Sequence, residues 1–200
     1  MMKHIVLAVL LVGLVAGCSV ATRDSQREKS TMLHSVEALR DAVEQHDVEK
    51  IRTYIDLRHI VEQAVRSDTK RRLEAGLPSP FGHPYELLQK KGTQDHLVTM
   101  WYTIIKAELR RGEDTRYDEP IDLWPYSVMT YQRLRAMLAE DPEIREQGGV
   151  HHATFHIPEF EGVAPVDVDF VMVKSGEIWR LSSIDNIHSV IDVFATSINN

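Results

Sequence analysis

VDVDFVMVKSGEIWRLSSI, from Val166 to Ile184, decides the fold class. Val166, Val168 and Phe170 alternate with Asp167 and Asp169, which is the two-residue period of a strand with one face in a core and one in water. The alternation runs into a fully apolar stretch ending at Val173. Lys174-Ser175-Gly176-Glu177 then supplies a hairpin turn, and Ile178 to Ile184 returns as the second arm. On that arm Trp179 and Leu181 share a face, so Trp179 is expected in the core. Upstream, Val150 to Ile157 also alternates. Ala153, Phe155 and Ile157 should point inward, His152 and His156 outward, with His151 at the edge.

Before this stretch the period is close to four, which predicts helices. Met32 opens a run with Leu33, Val36, Leu39 and Val43, for which Ser30 or Thr31 is the expected cap. Asp47 is placed to cap a short helix carrying Val48, Ile51 and Ile55. Asp56 is placed to cap a third with Leu57, Ile60, Val61, Ala64 and Val65 on one stripe, closed by Gly76. Leu77 to Pro84 reads as a loop, and Tyr85 to Lys91 as a short helical turn ended by Gly92. Thr93 opens an apolar helix through Leu97, Trp101, Ile105 and Leu109 to Gly112. An acidic loop from Glu113 to Tyr126 leads to a helix over Ser127 to Ala139. Asp141-Pro142 suggests one more helical turn, stopped by Gly148-Gly149, and Ile187, Val190, Ile191 and Phe194 end the chain at helical spacing. Helices first and strands last predict an α+β domain over 32–200, with N-terminal helices packed on one face of a small C-terminal antiparallel sheet.

The N-terminus carries an address. Lys3 and His4 precede twelve uncharged residues, Ile5 to Ala16. As a helix they would span ~18 Å, short of the ~30 Å hydrocarbon core, so the run reads as the apolar segment of a signal peptide. Val15-Ala16-Gly17-Cys18 follows and resembles the lipobox of bacterial lipoproteins. The resemblance implies cleavage after residue 17, a diacylglycerol on the Cys18 thiol and acylation, such as palmitate, of the new amino terminus. It makes the membrane a partner through the acyl chains on Cys18. Ser19 in place of Asp implies the outer membrane, periplasmic face. Cleavage would remove Lys3 and no acid, leaving 18–31, the lipidated cysteine and a polar stretch, as a flexible tether.

A second resemblance rests on Ala38 to Val65, ALRDAVEQHDVEKIRTYIDLRHIVEQAV, with Tyr54-Ile55-Asp56 at its centre, and on Gly176 to Leu181, GEIWRL. These stretches resemble an uncharacterised family of bacterial lipid-anchored and membrane-attached proteins. Helix pairs followed by a sheet ending in a Gly-x-x-Trp hairpin are also similar to nuclear-transport-factor-2-like folds, which implies a cone-shaped pocket. No activity comes with either likeness.

Composition narrows the function. Apolar residues at 43% and charged residues at 26% fit a folded domain, and thirty acids against 23 Lys plus Arg give a net charge of −7. A nucleic-acid surface would need a local basic patch. The one basic cluster along the chain, Arg66, Lys70, Arg71 and Arg72, is interrupted by acids and lacks aromatics, so no nucleic-acid partner is expected. A single cysteine excludes an intrachain disulfide and any Cys-rich zinc site. His151, His152 and His156 invite a metal, but on a strand the first two face opposite ways and the last two stand ~13 Å apart, so none is expected. Glu113, Asp114, Asp118, Glu119 and Asp122 lack the spacing of a calcium loop. Asp167 and Asp169 share a strand face about 6.6 Å apart and read as its solvated side. The aromatic set Trp101, Tyr102, Phe155, Phe170 and Trp179 reads as core, with pocket lining as the alternative. No catalytic residue and no cofactor is assigned. The expected role is non-enzymatic binding or assembly at the envelope, through an apolar pocket holding an envelope protein or lipid-like ligand. The alternative is a small envelope hydrolase with a carboxylate–histidine site.

Overall fold

Gly176-Glu177 closes a two-residue hairpin between Ser175 and Ile178, so the deciding stretch folds as its alternation requires. The computed structural model describes residues 26–77, 90–112, 130–159 and 163–197. Among the described residues five helices precede the sheet: α1 over 26–44, α2 Val48–Tyr54, α3 Leu57–Glu74, α4 Lys91–Arg111 and α5 Tyr131–Met137. Then come β1 Glu143–Gln147, β2 Val150–Ile157, β3 Val166–Ser175, β4 Ile178–Ile184 and a final helix, α6 Ile187–Ser197. The strands form an antiparallel meander in the order β1-β2-β3-β4, and the fold is α+β.

One sheet face carries Ala153, Phe155 and Ile157 from β2, Val168, Phe170 and Met172 from β3, and Trp179 and Leu181 from β4, all buried. The rings of Phe155 and Phe170 meet edge to face, 5.7 Å between centroids. Against this face pack the stripes of the helices, among them Leu39 and Val43 of α1, Ile51 of α2 and Ile60 and Val65 of α3, while α4 packs on α3 and α2 and adds Ile105 and Leu109 to the same core. Both expected caps form. Asp47 accepts from the Lys50 N–H at 3.0 Å and Asp56 from the His59 N–H at 3.2 Å. At the far end of α3 the Leu77 N–H bonds the Arg72 carbonyl and the Gly76 N–H the Leu73 carbonyl, the paired closure of a Schellman motif.

β4 is an edge strand, yet its outer backbone groups are occupied. The Trp179 N–H donates to Ser35 Oγ at 3.0 Å, the Leu181 carbonyl accepts from the Asp56 N–H at 2.9 Å, and the Ile184 N–H donates to Gln63 Oε1 at 3.0 Å. Ile55 adds a single parallel bridge to Leu181. Helices α1 to α3 thus close the edge that would otherwise invite another strand.

Four expectations are corrected. Glu143–Gln147 is a strand, not a helical turn, and pairs with β2 from Glu143 opposite Thr154 to Gln147 opposite Val150. Its hairpin turns on Gly148 and Gly149, at φ 61° and 80°, the doubly left-handed geometry of a type I′ turn. EIREQ has one apolar residue and so no period to read; cross-strand pairing decides it. Second, residues 26–31, expected in the tether, are already helical, so Ser30 and Thr31 lie within α1 instead of capping it. Thr31 Oγ1 donates to the Glu28 carbonyl and accepts from the Trp179 indole Nε1 at 3.1 Å, which packs this polar turn on β4. Third, α4 starts at Lys91, so Gly92 sits in its first turn and Thr93 is not its opening. Fourth, α5 starts after Thr130, whose hydroxyl accepts from the Arg133 N–H and caps it, and ends at Met137; Ser127, its expected start, lies outside the described residues.

Between α1 and α2 the chain turns through His46, the one non-glycine residue at positive φ (53°) among those described. Its ring lies 4.5 Å from that of Tyr131 and fills the space beside Gly112, the C-cap of α4 at φ 64°.

A cationic cavity at the break between α2 and α3

Ile55 ends α2 in extended geometry (φ −133°, ψ 131°), and Asp56 starts α3 at once. Ile55 and Asp56, both outside helical geometry, keep the two helices off a common axis, and the bridge to Leu181 fixes the joint against β4. The bend carries Arg52 from the last turn of α2, Arg58 from the first turn of α3, Arg180 from β4 and Tyr102 from α4 to one cavity of about 380 Å³.

Its charges are unevenly matched. Glu49 is shared by three cations: Arg52 Nη1 at 2.9 Å, Lys106 Nζ at 3.3 Å and Arg110 Nη2 at 3.7 Å. The hydrogen bond and charge of Lys106, with the Arg52 guanidinium beside it, hold the Glu49 carboxyl below the usual carboxylate range. Arg52 also lies over the Tyr102 ring, 5.8 Å from its centroid. Arg180 donates from Nη2 to the Arg52 carbonyl at 3.3 Å and comes only within 4.0 Å of Asp56 Oδ2. Its Nε is sealed from solvent without an acceptor among the described residues. Arg58 is exposed and makes no ion pair among the described residues.

The opposite face of the sheet carries a second polar group. Asp169, buried on β3, receives Arg145 Nη2 on Oδ2 and the Thr154 hydroxyl on Oδ1 at 3.1 Å, while His152 Nδ1 stands 3.3 Å from Oδ2. Its backbone N–H donates to Asn186 Oδ1 at 2.9 Å, and its carbonyl accepts from the Asp185 N–H at 2.7 Å. One donor atom each from His152, Asp169 and Asp185 falls within 4.8 Å of the others. A divalent ion there would meet the Arg145 guanidinium on the same carboxylate oxygen, so the group reads as an internal ion network rather than a metal centre. Next to it His156 Nδ1 lies 2.9 Å from Asp167 Oδ1, in an exposed pair.

The expected site residues thus separate. His152 and His156 do point away from the core and do not meet one another. Each meets an aspartate across the β2–β3 ladder, a neighbour that spacing along one strand does not reveal. Asp167 and Asp169 share a face but not an environment, since Asp169 is buried and Asp167 exposed. Trp101, Phe155, Phe170 and Trp179 are core; of the aromatic set Tyr102 alone lines the cavity. Asp56 is a cap and lines the cavity as well. Arg66, Lys70, Arg71 and Arg72 are matched by Glu62, Glu74 and Asp68 on their own helix. Arg52, Arg58, Lys106, Arg110 and Arg180, which the sequence does not single out, come from four elements and cluster only in the fold. Cys18 and the acidic residues from Glu113 to Asp122 lie outside the described residues. Among those described, no helix is long and apolar enough to cross a membrane. In comparisons with family models, curated proteins and solved structures, nothing matches this chain.

Proposed function

We propose that this chain is a lipid-anchored protein of the bacterial cell envelope with a non-enzymatic binding role, and that its ligand occupies the cavity between α2 and α3. The cavity carries the binding half of this reading. At about 380 Å³ it has the size of a small-molecule site, and it is built by a joint that the two caps and the β4 bridge hold in place. Its lining is charged where an apolar pocket was expected. The anchoring half rests on Val15-Ala16-Gly17-Cys18 and the apolar run before it. Two or more acyl chains on one residue exceed what stable anchoring requires.

Intact mass of the protein extracted from membranes tests the anchor. Acyl chains on a chain beginning at Cys18 are expected, together with an uncleaved, unlipidated precursor from Cys18→Ser; an unmodified chain beginning elsewhere overturns it. Native mass spectrometry of the full chain in mild detergent tests the cavity. A co-purifying small molecule should be lost in Thr53→Trp, which narrows the lining, and retention in that variant places the ligand elsewhere.

A small envelope hydrolase is the second reading, and the cross-strand His152–Asp169 and His156–Asp167 pairs are what favour it. It requires ester or amide hydrolysis that disappears in His152→Gln or His156→Gln.

A further inference from the structure

We propose that the cavity between α2 and α3 is a phosphate site, taking a phosphate ester through Arg58 and Arg180. This deepens the binding role proposed above and rests on it. In a chain with seven more acids than lysines and arginines, five cations gather here around two carboxylates, Glu49 and Asp56. Both carboxylates already have partners. Glu49 is held by Arg52, Lys106 and Arg110, and Asp56 is committed to the His59 N–H. The surplus positive charge therefore falls on Arg58, which has no ion pair among the described residues, and on Arg180. The nearest carboxylate to Arg180 is beyond hydrogen-bond reach, and its Nε lacks an acceptor.

Guanidinium forks match the paired oxygens of phosphate in a monoester or a diester, and two of them balance the dianion of a monoester, where a diester or a carboxylate leaves one charge uncompensated. The start of α3, an eighteen-residue helix, adds its positive end to the same field. Tyr102, with Arg52 over its ring, gives a flat wall for whatever the phosphate carries. The volume exceeds what a bare phosphate needs, so an ester is the better fit than the inorganic ion. A phosphate ester reaches an envelope protein from two sources, a soluble monoester or the diester headgroup of a phospholipid.

Calorimetric titration of the full chain in mild non-ionic detergent, at fixed ionic strength, separates them. Glycerol 3-phosphate stands for the soluble monoester and glycerophosphoglycerol for the lipid headgroup, with inorganic phosphate and acetate alongside. Saturable one-to-one binding of either ester, tighter than acetate, is expected. Arg58→Gln and Arg180→Gln should each weaken it roughly tenfold or more, as befits loss of a charge-assisted hydrogen bond. Arg66→Gln, on the same helix and paired with Glu62, should leave it unchanged. Arg58 is exposed and has no ion pair among the described residues, so its variant tests the site without endangering the fold. Preference for the monoester assigns a soluble ligand, and preference for the diester a headgroup. Acetate binding as tightly as the esters, affinity indifferent to both arginines, or no saturable binding overturns the phosphate site. A co-purified ligand without phosphorus, lost in Thr53→Trp, would end the phosphate assignment and leave the binding role standing. Retention of that ligand in Thr53→Trp would end both.

Discussion

The two edges of the sheet solve the same problem by different means. β4 hands its outward backbone groups to Ser35, Asp56 and Gln63, so α1 and α3, with the α2–α3 joint, are tied to one strand. β1 has no such cover among the described residues. It shields itself with Glu143, Arg145 and Glu146, charged side chains that discourage a further strand. One edge is closed by structure and the other by charge. Breaking the first should therefore disturb the whole domain, while changing the second should not. The cavity lies along the first, so the binding role proposed above falls on the edge that the helices tie down.

Substitutions along the edges sharpen this contrast. Trp179→Ala has the largest expected effect, because it empties a buried site on β4 and frees the Thr31 hydroxyl that anchors α1. A loss of about 3–5 kcal/mol is expected in chemical denaturation. An unchanged midpoint would mean that β4 is not the strand on which the helices depend. Ser35→Ala comes next, since it leaves the Trp179 N–H buried without an acceptor, at a cost of about 1–3 kcal/mol. If Ser35→Ala and Ser35→Thr unfold at the same denaturant concentration, the hydroxyl contributes nothing and the edge is held by packing alone.

The acid limb gives a smaller signal. Glu49, whose carboxyl lies below its usual range, contributes stability that is fully present above the ordinary carboxylate pKa and is lost as pH falls through its folded value. Wild type should exceed Glu49→Gln in melting temperature at neutral pH, and the gap should close on acidification. A gap that widens toward low pH contradicts the assigned sign. On the other edge, Glu146→Gln should change stability by no more than about 0.5 kcal/mol. A larger loss by thermal melt would show that β1 is held by more than its ladder to β2.

What was legible follows from where each signal is stored. Alternation from Val166 to Val173 and a turn at Gly176 are local, and so are caps such as Asp47 and Asp56; each forms as read. β1 was illegible because an exposed edge strand needs no apolar period, and Ile144 alone cannot make one. The first turns of α1 were missed for a related reason. They dock through Thr31 and Glu28, polar groups that a search for apolar stripes passes over. The cavity is half visible in the sequence, where Asp56 reads as a cap and Tyr102 as a lining candidate. Arg52, Arg58 and Arg180 belong to separate elements, and only the Ile55–Leu181 bridge makes them neighbours.

Gly112 and His46 meet although they lie far apart in the chain. A β-carbon at 112 would intrude on the imidazole, and the backbone there sits at positive φ. Their histories are consequently joined. Any larger residue at 112 stays strained at that φ even where position 46 has given up its ring, and shrinking position 46 strips Tyr131 of its stacking partner. The dependence is one-sided: loss of the ring at 46 leaves only a void, whereas loss of the glycine at 112 brings both a clash and a strained backbone, so sequences descended from a common ancestor should keep Gly112 longer than His46.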